Sequence, residues 1–310
     1  MDIMIDILMA TYNGERFLRP QLDSILQQSN QDWQLMIRDD CSTDETVEVI
    51  KEYQLLRPEQ IRVIQAEQPS GSAQNNFFQL LQYSSAEYVM FADQDDVWLP
   101  QKIQLTLDKM QQMVQQYGAE TPLLVHTDLA VVDSFLRILN PSLFQMHNMD
   151  AARNKLNNIL VQNIVTGCTM MVNRSLLDVV TEIPKHAVMH DMWLALVAAA
   201  FGEIGFVDRA TMLYRQHGQN VKGARNMKSI SYTIQKLRRM KEIHAGLLEQ
   251  YHQAREFLSL YEKLLKPEQK ALLQVYGSLE NSGVLKKFNV LTNYQLYKKG
   301  FIRKAGQVLL

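Results

Sequence analysis

Short apolar runs that stop at polar, carboxylate-bearing turns recur through the first third of the chain, and few folds accommodate them. Residues 3–9, interrupted only by Asp6, and residues 33–37, 61–64 and 88–92 each have the length and apolarity of a strand buried on both faces. Amphipathic helix patterns separate them. One covers residues 17–28, one can be capped by Ser42-Thr43-Asp44 and closes near Leu55 and Leu56, and one covers residues 75–83. Strand alternating with helix predicts an α/β fold, a mostly parallel sheet flanked by helices, whose ligands bind outside the carboxyl ends of the strands. Three such ends converge on one edge: Thr11-Tyr12-Asn13, Asp39-Asp40, and Asp93 to Asp96.

The last of these is the most demanding. Phe91-Ala92-Asp93-Gln94-Asp95-Asp96-Val97-Trp98-Leu99-Pro100 places three carboxylates between an apolar strand and Pro100, which looks like the first turn of a helix. Carboxylates this close raise one another's pKa, and a divalent cation such as Mg2+ or Mn2+ is the simplest way to keep them ionised together. An isolated Asp-x-Asp would more often be a solvated acidic turn capping a helix; the position behind a buried strand favours the metal. No Gly-x-Gly-x-x-Gly follows the first strand and no Gly-x-x-x-x-Gly-Lys-Ser/Thr occurs anywhere, which argues against a Rossmann dehydrogenase or a P-loop enzyme.

At 310 residues and 46% hydrophobic content the chain can bury a substantial core as one large domain or two smaller ones. No apolar run approaches the ~20 residues that span a bilayer, and no charged n-region with an h-region opens the sequence, so the expectation is a protein kept in the cytoplasm. Cys41 and Cys168 lie far apart without metal-ligand spacing and indicate neither a disulfide framework nor a zinc site. The net charge of −1 conceals a division: residues 1–208 carry 13 Lys+Arg against 27 acids, and residues 209–310 carry 19 against 6. Two chemically different surfaces are expected.

Ala10-Thr11-Tyr12-Asn13-Gly14, Asp39-Asp40-Cys41-Ser42-Thr43-Asp44 and Asp93-Gln94-Asp95-Asp96, in this order and spacing, resemble the successive signatures of inverting family-two glycosyltransferases with the GT-A fold. The segment from Phe91 to Trp98, with Thr166-Gly167-Cys168-Thr169-Met170-Met171, Met189-His190-Asp191 and Tyr214-Arg215-Gln216-His217, is more particularly similar to bacterial rhamnosyltransferases that build cell-wall rhamnose polysaccharides. The resemblance runs to about Arg225. It implies a GT-A domain over residues 1–225 and leaves residues 226–310 as a basic, helical C-terminal extension. It also implies that Asp40 accepts a hydrogen bond from a pyrimidine base in a nucleotide pocket formed with Thr11, Tyr12, Asn13 and Asp39. Without it, Asp39 and Asp40 would read as caps of the next helix. Asp93 and Asp95 would hold the cation that bridges the donor diphosphate, with Asp96 as the alternative ligand. Cys41 stands where many relatives carry Gly.

The remaining chain is read in the same frame. Residues 100–116 predict a helix and residues 123–125 and 129–132 two strands, while residues 135–155 lack periodicity and read as a mobile loop over the acceptor side. Gly167 either approaches the donor closely or marks a bulge. Asp191 opens the apolar helix 192–201; by default it is a helix-terminal carboxylate, and the resemblance makes it the general base of an inverting transfer. After a strand at 211–214, Arg215 can pair with phosphate oxygens and His217 can complete the metal site. Residues 218–228 read as a loop closing on the diphosphate. From residue 230 the pattern is helical, through Ile234, Leu237, Met240, Ile243, Leu247 and Leu248, with a new helix at Pro267 and a basic, aromatic-bearing stretch over 284–310. That tail fits a helical cap, a homodimer contact, or a peripheral contact with the anionic inner face of a membrane carrying a lipid-linked saccharide acceptor. No motif supports nucleic acid. The expected activity is metal-dependent rhamnosyl transfer from dTDP-rhamnose. Its rivals are a family-two transferase using a UDP-sugar and a non-catalytic binding or assembly protein.

Overall fold

The computed structural model describes residues 5–217 and 232–309. The expected alternation is present as β1 (Ile5–Thr11), α1 (Glu15–Leu26), β2 (Trp33–Asp39), α2 (Thr46–Leu56), β3 (Ile61–Ile64), α3 (Ala73–Leu81) and β4 (Tyr88–Asp93). The four strands pair in parallel in the order β3-β2-β1-β4. The chain thus runs to one side of β1 and then crosses to β4 on the other, which opens a crevice at their carboxyl ends. Asp6, the one charge in β1, is buried and accepts hydrogen bonds from Ser84 Oγ (2.6 Å) and Ala86 N (3.3 Å).

The second half comprises β5 (Val97–Trp98), α4 (Lys102–Tyr117), β6 (Leu123–Val132), β7 (Ile138–Asn140), α5 (Leu143–His147), α6 (Leu156–Ile159), β8 (Met170–Asn173), α7 (Arg174–Val179), α8 (His190–Phe201) and β9 (Glu203–Arg215). Here the sheet becomes mixed: β8 lies antiparallel between β4 and β6, β9 runs parallel to β6, and β5 is antiparallel to β9. Several local expectations are corrected. The two strands expected within 123–132 are one ten-residue strand, buried throughout. The polar His126-Thr127-Asp128 that seemed to divide it lies inside, where Asp128 accepts hydrogen bonds from Leu129 N and Ser142 Oγ. The stretch 135–155 is not a featureless loop, because it contains β7 and α5, both too short to show a period; Ser142 caps α5 by accepting from Gln145 N at 3.0 Å. Val97 and Trp98 are used in β5, so α4 starts at Lys102 and not at Pro100.

Alternate residues of the central strands feed two cores, as strand periodicity requires. Leu8, Met36, Val89 and Phe91 face the side covered by α3 and α8, while Ile7, Met9, Leu35, Ile37 and Met90 face the side covered by α1, α2 and α4. Beyond β9 come α9 (Tyr232–Tyr261), α10 (Pro267–Gly277), α11 (Val284–Asn293) and α12 (Phe301–Leu309). In α9, Leu247, Tyr251, Ala254, Phe257 and Tyr261 recur at three or four residues, and this stripe joins the core of α8, with Phe257 5.3 Å from the ring of Trp193. Among the described residues no helix is long and apolar enough to cross a membrane. The expected closing loop at 218–228 and the side chains of Ile234, Leu237 and Met240 lie outside the described residues.

Candidate active site

The register of the parallel strands places the predicted residues side by side. Thr11 is opposite Asp39 and Ala10 opposite Asp93, so the ends of β2, β1 and β4 form one edge. The loops after β1 and β2 are laced together: Thr11 Oγ1 donates to Asp39 (2.8 Å), Asn13 N to Ser42 Oγ (2.8 Å), Thr43 N to Asn13 Oδ1 (2.8 Å) and Gly14 N to Thr46 Oγ1 (2.7 Å). Asn13 (φ 47) and Cys41 (φ 64) take the left-handed conformation that this lacing requires. Glycine suits such a position best, which gives a physical reason for the Gly expected at Cys41. Tyr12 is 56% exposed, and its peptide is clasped by Gln94, whose Oε1 accepts from Tyr12 N (2.8 Å) while its Nε2 donates to Tyr12 O (2.9 Å).

Both β2 carboxylates are engaged within the protein. Asp39 also accepts from Ser42 N (2.7 Å) and Ser42 Oγ (2.6 Å). Asp40 is buried, pairs with Arg38 at 2.9 Å and accepts from Ser70 N (2.6 Å) and Ser70 Oγ (2.9 Å). Burial pushes the Asp40 carboxyl up, but the hydrogen bonds from Ser70 and Arg38 outweigh it and leave the group below the usual carboxylate range. Arg38 itself is fixed by Asn76 Oδ1 (2.9 Å) and Gln68 O (3.1 Å). Asp39 and Asp40 thus tie down the loops around the end of β2, while Asp44 serves the start of α2 by accepting from Thr46 N at 3.1 Å.

The turn after β4 carries the acids in two tiers. In the outer tier His217 Nε2 lies 2.6 Å from Asp95 Oδ2, and Arg215 Nε donates to the Asp95 carbonyl at 2.7 Å. The Phe17 ring supports both, 4.8 Å from the Arg215 guanidinium and 4.6 Å from the His217 ring. In the inner tier Asp96 is fully buried; its Oδ1 accepts from Arg215 N at 3.2 Å, and the Cys168 thiol and the buried Lys102 ammonium act on the same carboxylate. Asp93, Asp96 and Cys168 each bring a ligand atom within 4.8 Å of the others. Burial first, then the charges of Asp95 and Asp191, push Asp93 up to about 7; burial with Asp95 and Asp93 drives Asp96 well above the usual range. Such crowding of carboxylates fits a divalent cation held by oxygen ligands.

Asp191 occupies the first turn of α8, where its Oδ2 accepts the Gly167 N–H at 3.1 Å. Its charge raises the Asp93 carboxyl, so the two groups lie near each other. The neighbouring His190 ring is packed 4.2 Å from Phe77 and 5.3 Å from Phe91. At Gly167, a Cβ would stand 2.7 Å from His190 Nε2, so the close approach at this glycine is to the residue beside Asp191. Gln94, Arg38 and Ser70, which no local sequence signal marks, are further residues at this edge, and Cys168, in the Thr166 to Met171 segment, lies beside Asp93 and Asp96.

Residues 6–181 match the family model described as glycosyl transferase family 2. The chain is 30% identical over 231 residues to the dTDP-rhamnosyl transferase RfbG of Shigella flexneri, covering 70% of this chain and 74% of that one. It is 24% identical over 199 residues to the UDP-Glc:alpha-D-GlcNAc-diphosphoundecaprenol beta-1,3-glucosyltransferase WfgD of Escherichia coli, covering 63% and 70%. Among solved structures, TarS 1-349 of S. aureus is similar with a TM-score of 0.58 at 17% identity, over 94% of this chain and 79% of that one. The mannosyltransferase PcManGT of Pyrobaculum calidifontis, in complex with GDP-Man and Mn2+, has a TM-score of 0.52 at 14% identity, over 94% and 73%. A GT-A-type sheet, with the acidic turn at the end of β4 and Asp191 at the start of α8, is the scaffold of a chain that belongs to glycosyl transferase family 2.

Proposed function

We propose that this glycosyltransferase moves rhamnose, with inversion, from dTDP-rhamnose to a lipid-linked saccharide in the synthesis of a cell-wall or surface polysaccharide. The observation that carries the mechanism is Asp191, oriented by the Gly167 amide and close enough to Asp93 for its charge to act there. In this reading Asp191 takes the proton from the acceptor hydroxyl as that oxygen attacks the anomeric carbon from the face opposite the leaving diphosphate. Asp93 and Asp95, with Asp96 and His217, would hold Mg2+ or Mn2+, which would supply positive charge to offset that on the departing nucleotide. Arg215 adds a guanidinium beside the same oxygens, and Thr11, Tyr12, Asn13, Asp39 and Asp40 frame the base. These groups belong to a catalytic part spanning residues 1–225. The basic residues of 226–310 serve contact with an anionic membrane surface at its cytoplasmic face.

Support for rhamnose comes from the Shigella relative, and the Escherichia coli relative favours a second reading, in which the same site takes a UDP-sugar. A panel of nucleotide sugars, scored by nucleoside diphosphate release with and without a lipid-linked acceptor, separates the two. Release from dTDP-rhamnose that stops in excess chelator is expected. Saturable transfer from UDP-glucose with none from dTDP-rhamnose would overturn the donor, and full turnover in chelator would overturn the metal.

A further inference from the structure

Arg16 stands in the first turn of α1, just after Gly14 closes the loop at the carboxyl end of β1. We propose that its guanidinium binds the donor diphosphate directly, while the buried Arg215 fixes the acidic turn and adds its charge from within. This rests on the reading of the site as one for a nucleotide sugar and adds a binding residue to it.

Successive residues of a helix point about 100° apart, so neighbours in sequence do not normally meet. Arg16 nevertheless holds its guanidinium carbon 4.9 Å from the centroid of the Phe17 ring, which it reaches by folding back across the start of α1. The same ring lies 4.8 Å from the Arg215 guanidinium and 4.6 Å from the His217 ring, and His217 Nε2 stands 2.6 Å from Asp95 Oδ2. Two guanidinium groups and an imidazole therefore gather around one phenyl ring, next to the outer tier of the acidic turn. A diphosphate offers oxygens on two linked phosphorus atoms and can be met by more than one of these groups at once.

Engagement separates the two arginines. Arg215 is 4% exposed; its Nε donates to the Asp95 carbonyl (2.7 Å) and its Nη1 to the Ser134 carbonyl (3.0 Å), so it is committed to holding the turn after β4 against the turn after β6. Arg16 is exposed, and among the described residues it donates no hydrogen bond and forms no ion pair. The neighbouring Glu15 carboxylate is engaged instead by Glu45 N at 2.8 Å. The fork of N–H donors on Arg16 is thus open to an incoming anion, and phosphate oxygens match such a fork with two parallel bonds. Burial lowers the Arg215 guanidinium, Asp95 and Asp96 raise it, and Arg16 lowers it again, so the two like charges act on each other. A multiply charged anion beside both would relieve that repulsion.

The test is calorimetric titration of the full chain, with Mg2+ present, by inorganic pyrophosphate, dTDP and UDP, in the parent, Arg16→Gln, Arg16→Lys and Arg19→Gln. Arg19 lies on the same helix and pairs with Glu52 at 2.7 Å, so Arg19→Gln removes the same charge from α1 without touching the group at the Phe17 ring. Each ligand that the parent binds should bind Arg16→Gln about tenfold more weakly, with part of the loss recovered in Arg16→Lys, because hydrogen bonds between charged groups are the strong ones. Mg2+ affinity in the absence of these ligands and Tm should not fall; a fall in either would return Arg16 to a structural role. Affinities in Arg16→Gln equal to the parent's, or an equal loss in Arg19→Gln, would overturn the proposal. A parent that binds none of the three ligands removes the nucleotide-sugar reading itself, whereas binding that Arg16→Gln leaves unchanged removes the role of Arg16 alone.

Discussion

Gly167→Ala tests how Asp191 is held. The alanine Cβ would stand 2.7 Å from Nε2 and 3.1 Å from Cε1 of His190, inside the 3.4 Å at which ordinary contact begins. His190 cannot swing aside easily, because its ring is 3% exposed and lies against Phe77 and Phe91. Overpacking of this kind costs ~1–3 kcal/mol. An opposing effect exists: Gly167 is not among the left-handed glycines, so alanine relieves unfolded-state entropy worth ~0.4–1 kcal/mol. The balance remains destabilising, by about 1–2 kcal/mol. The same crowding displaces the amide that donates to Asp191 Oδ2 at 3.1 Å. A ~1 Å misplacement can cost ~100-fold in rate, so a shift of a few tenths should lower kcat by about tenfold and leave nucleotide affinity unchanged. Denaturant unfolding and steady-state kinetics on the same preparation read both effects. A variant as stable as the parent, with unchanged kcat, would refute the packing argument.

Four further outcomes are expected. Asp191→Asn keeps the volume and the Gly167 contact but cannot take a proton, so kcat should fall ~10²- to 10⁴-fold with nucleotide binding intact; near-normal turnover would return Asp191 to a helix-start role. Asp93, raised to about 7 by burial and then by Asp95 and Asp191, holds a proton that competes with a cation, so apparent Mn2+ affinity should climb with pH and level off above about 7. Because this folded-state pKa lies above the unfolded one, its stabilisation of the metal-free protein is complete below the unfolded pKa and is lost as pH rises through about 7; a metal-free Tm that rises over this range would contradict it. Leu285 (81% exposed) and Phe288 (51%) flank Lys286 on α11, so L285S/F288S should reduce sedimentation with anionic vesicles without lowering Tm, and salt should do the same to the parent. Equal binding of the parent to neutral and anionic vesicles would assign these residues another role.

The parallel half of the sheet was legible because buried strands and amphipathic helices write different periods into the sequence, and every strand from β1 to β4 lies where its apolar run predicted. The second half was harder for identifiable reasons. Asp128 hides inside β6 because Ser142, fourteen residues on, supplies its hydrogen bond, and nothing local announces such a partner. Glu203 to Ala210 extend β9 well before its apolar segment, paired to β6 through two register shifts. At the site, the acids and Asp191 could be named, but not their tiers. Whether Asp95 or Asp96 is the buried one depends on Arg215, whose backbone N–H reaches Asp96 Oδ1 from β9. Likewise Asp40 could be placed near a nucleotide but not seen to be engaged, since Ser70 lies on the far side of β3 in sequence.

Charge divides the chain near residue 208, yet the core does not divide there. Three amides that precede Asp191 are held by α9: Lys185 N and His186 N donate to the Glu256 carboxylate at 2.8 and 2.6 Å, and Val188 N donates to Gln253 Oε1 at 2.8 Å. Gln253 is fully buried, so its bond is shielded from competing water. Trp193, two residues beyond Asp191 on α8, packs edge-on against Phe257 of α9. Asp191 is therefore braced from two sides, by the Gly167 amide in the 3-10 turn before β8 and by α9 through the segment that leads into α8. Removing residues 284–310 to test the basic surface would also take away Leu291 and Leu296, which are buried in the core shared by α8 and α9. Loss of activity in such a truncation would follow from packing alone. The membrane question is for this reason better put to exposed positions on α11, where charge and apolar contact can be changed while the brace on Asp191 stays in place.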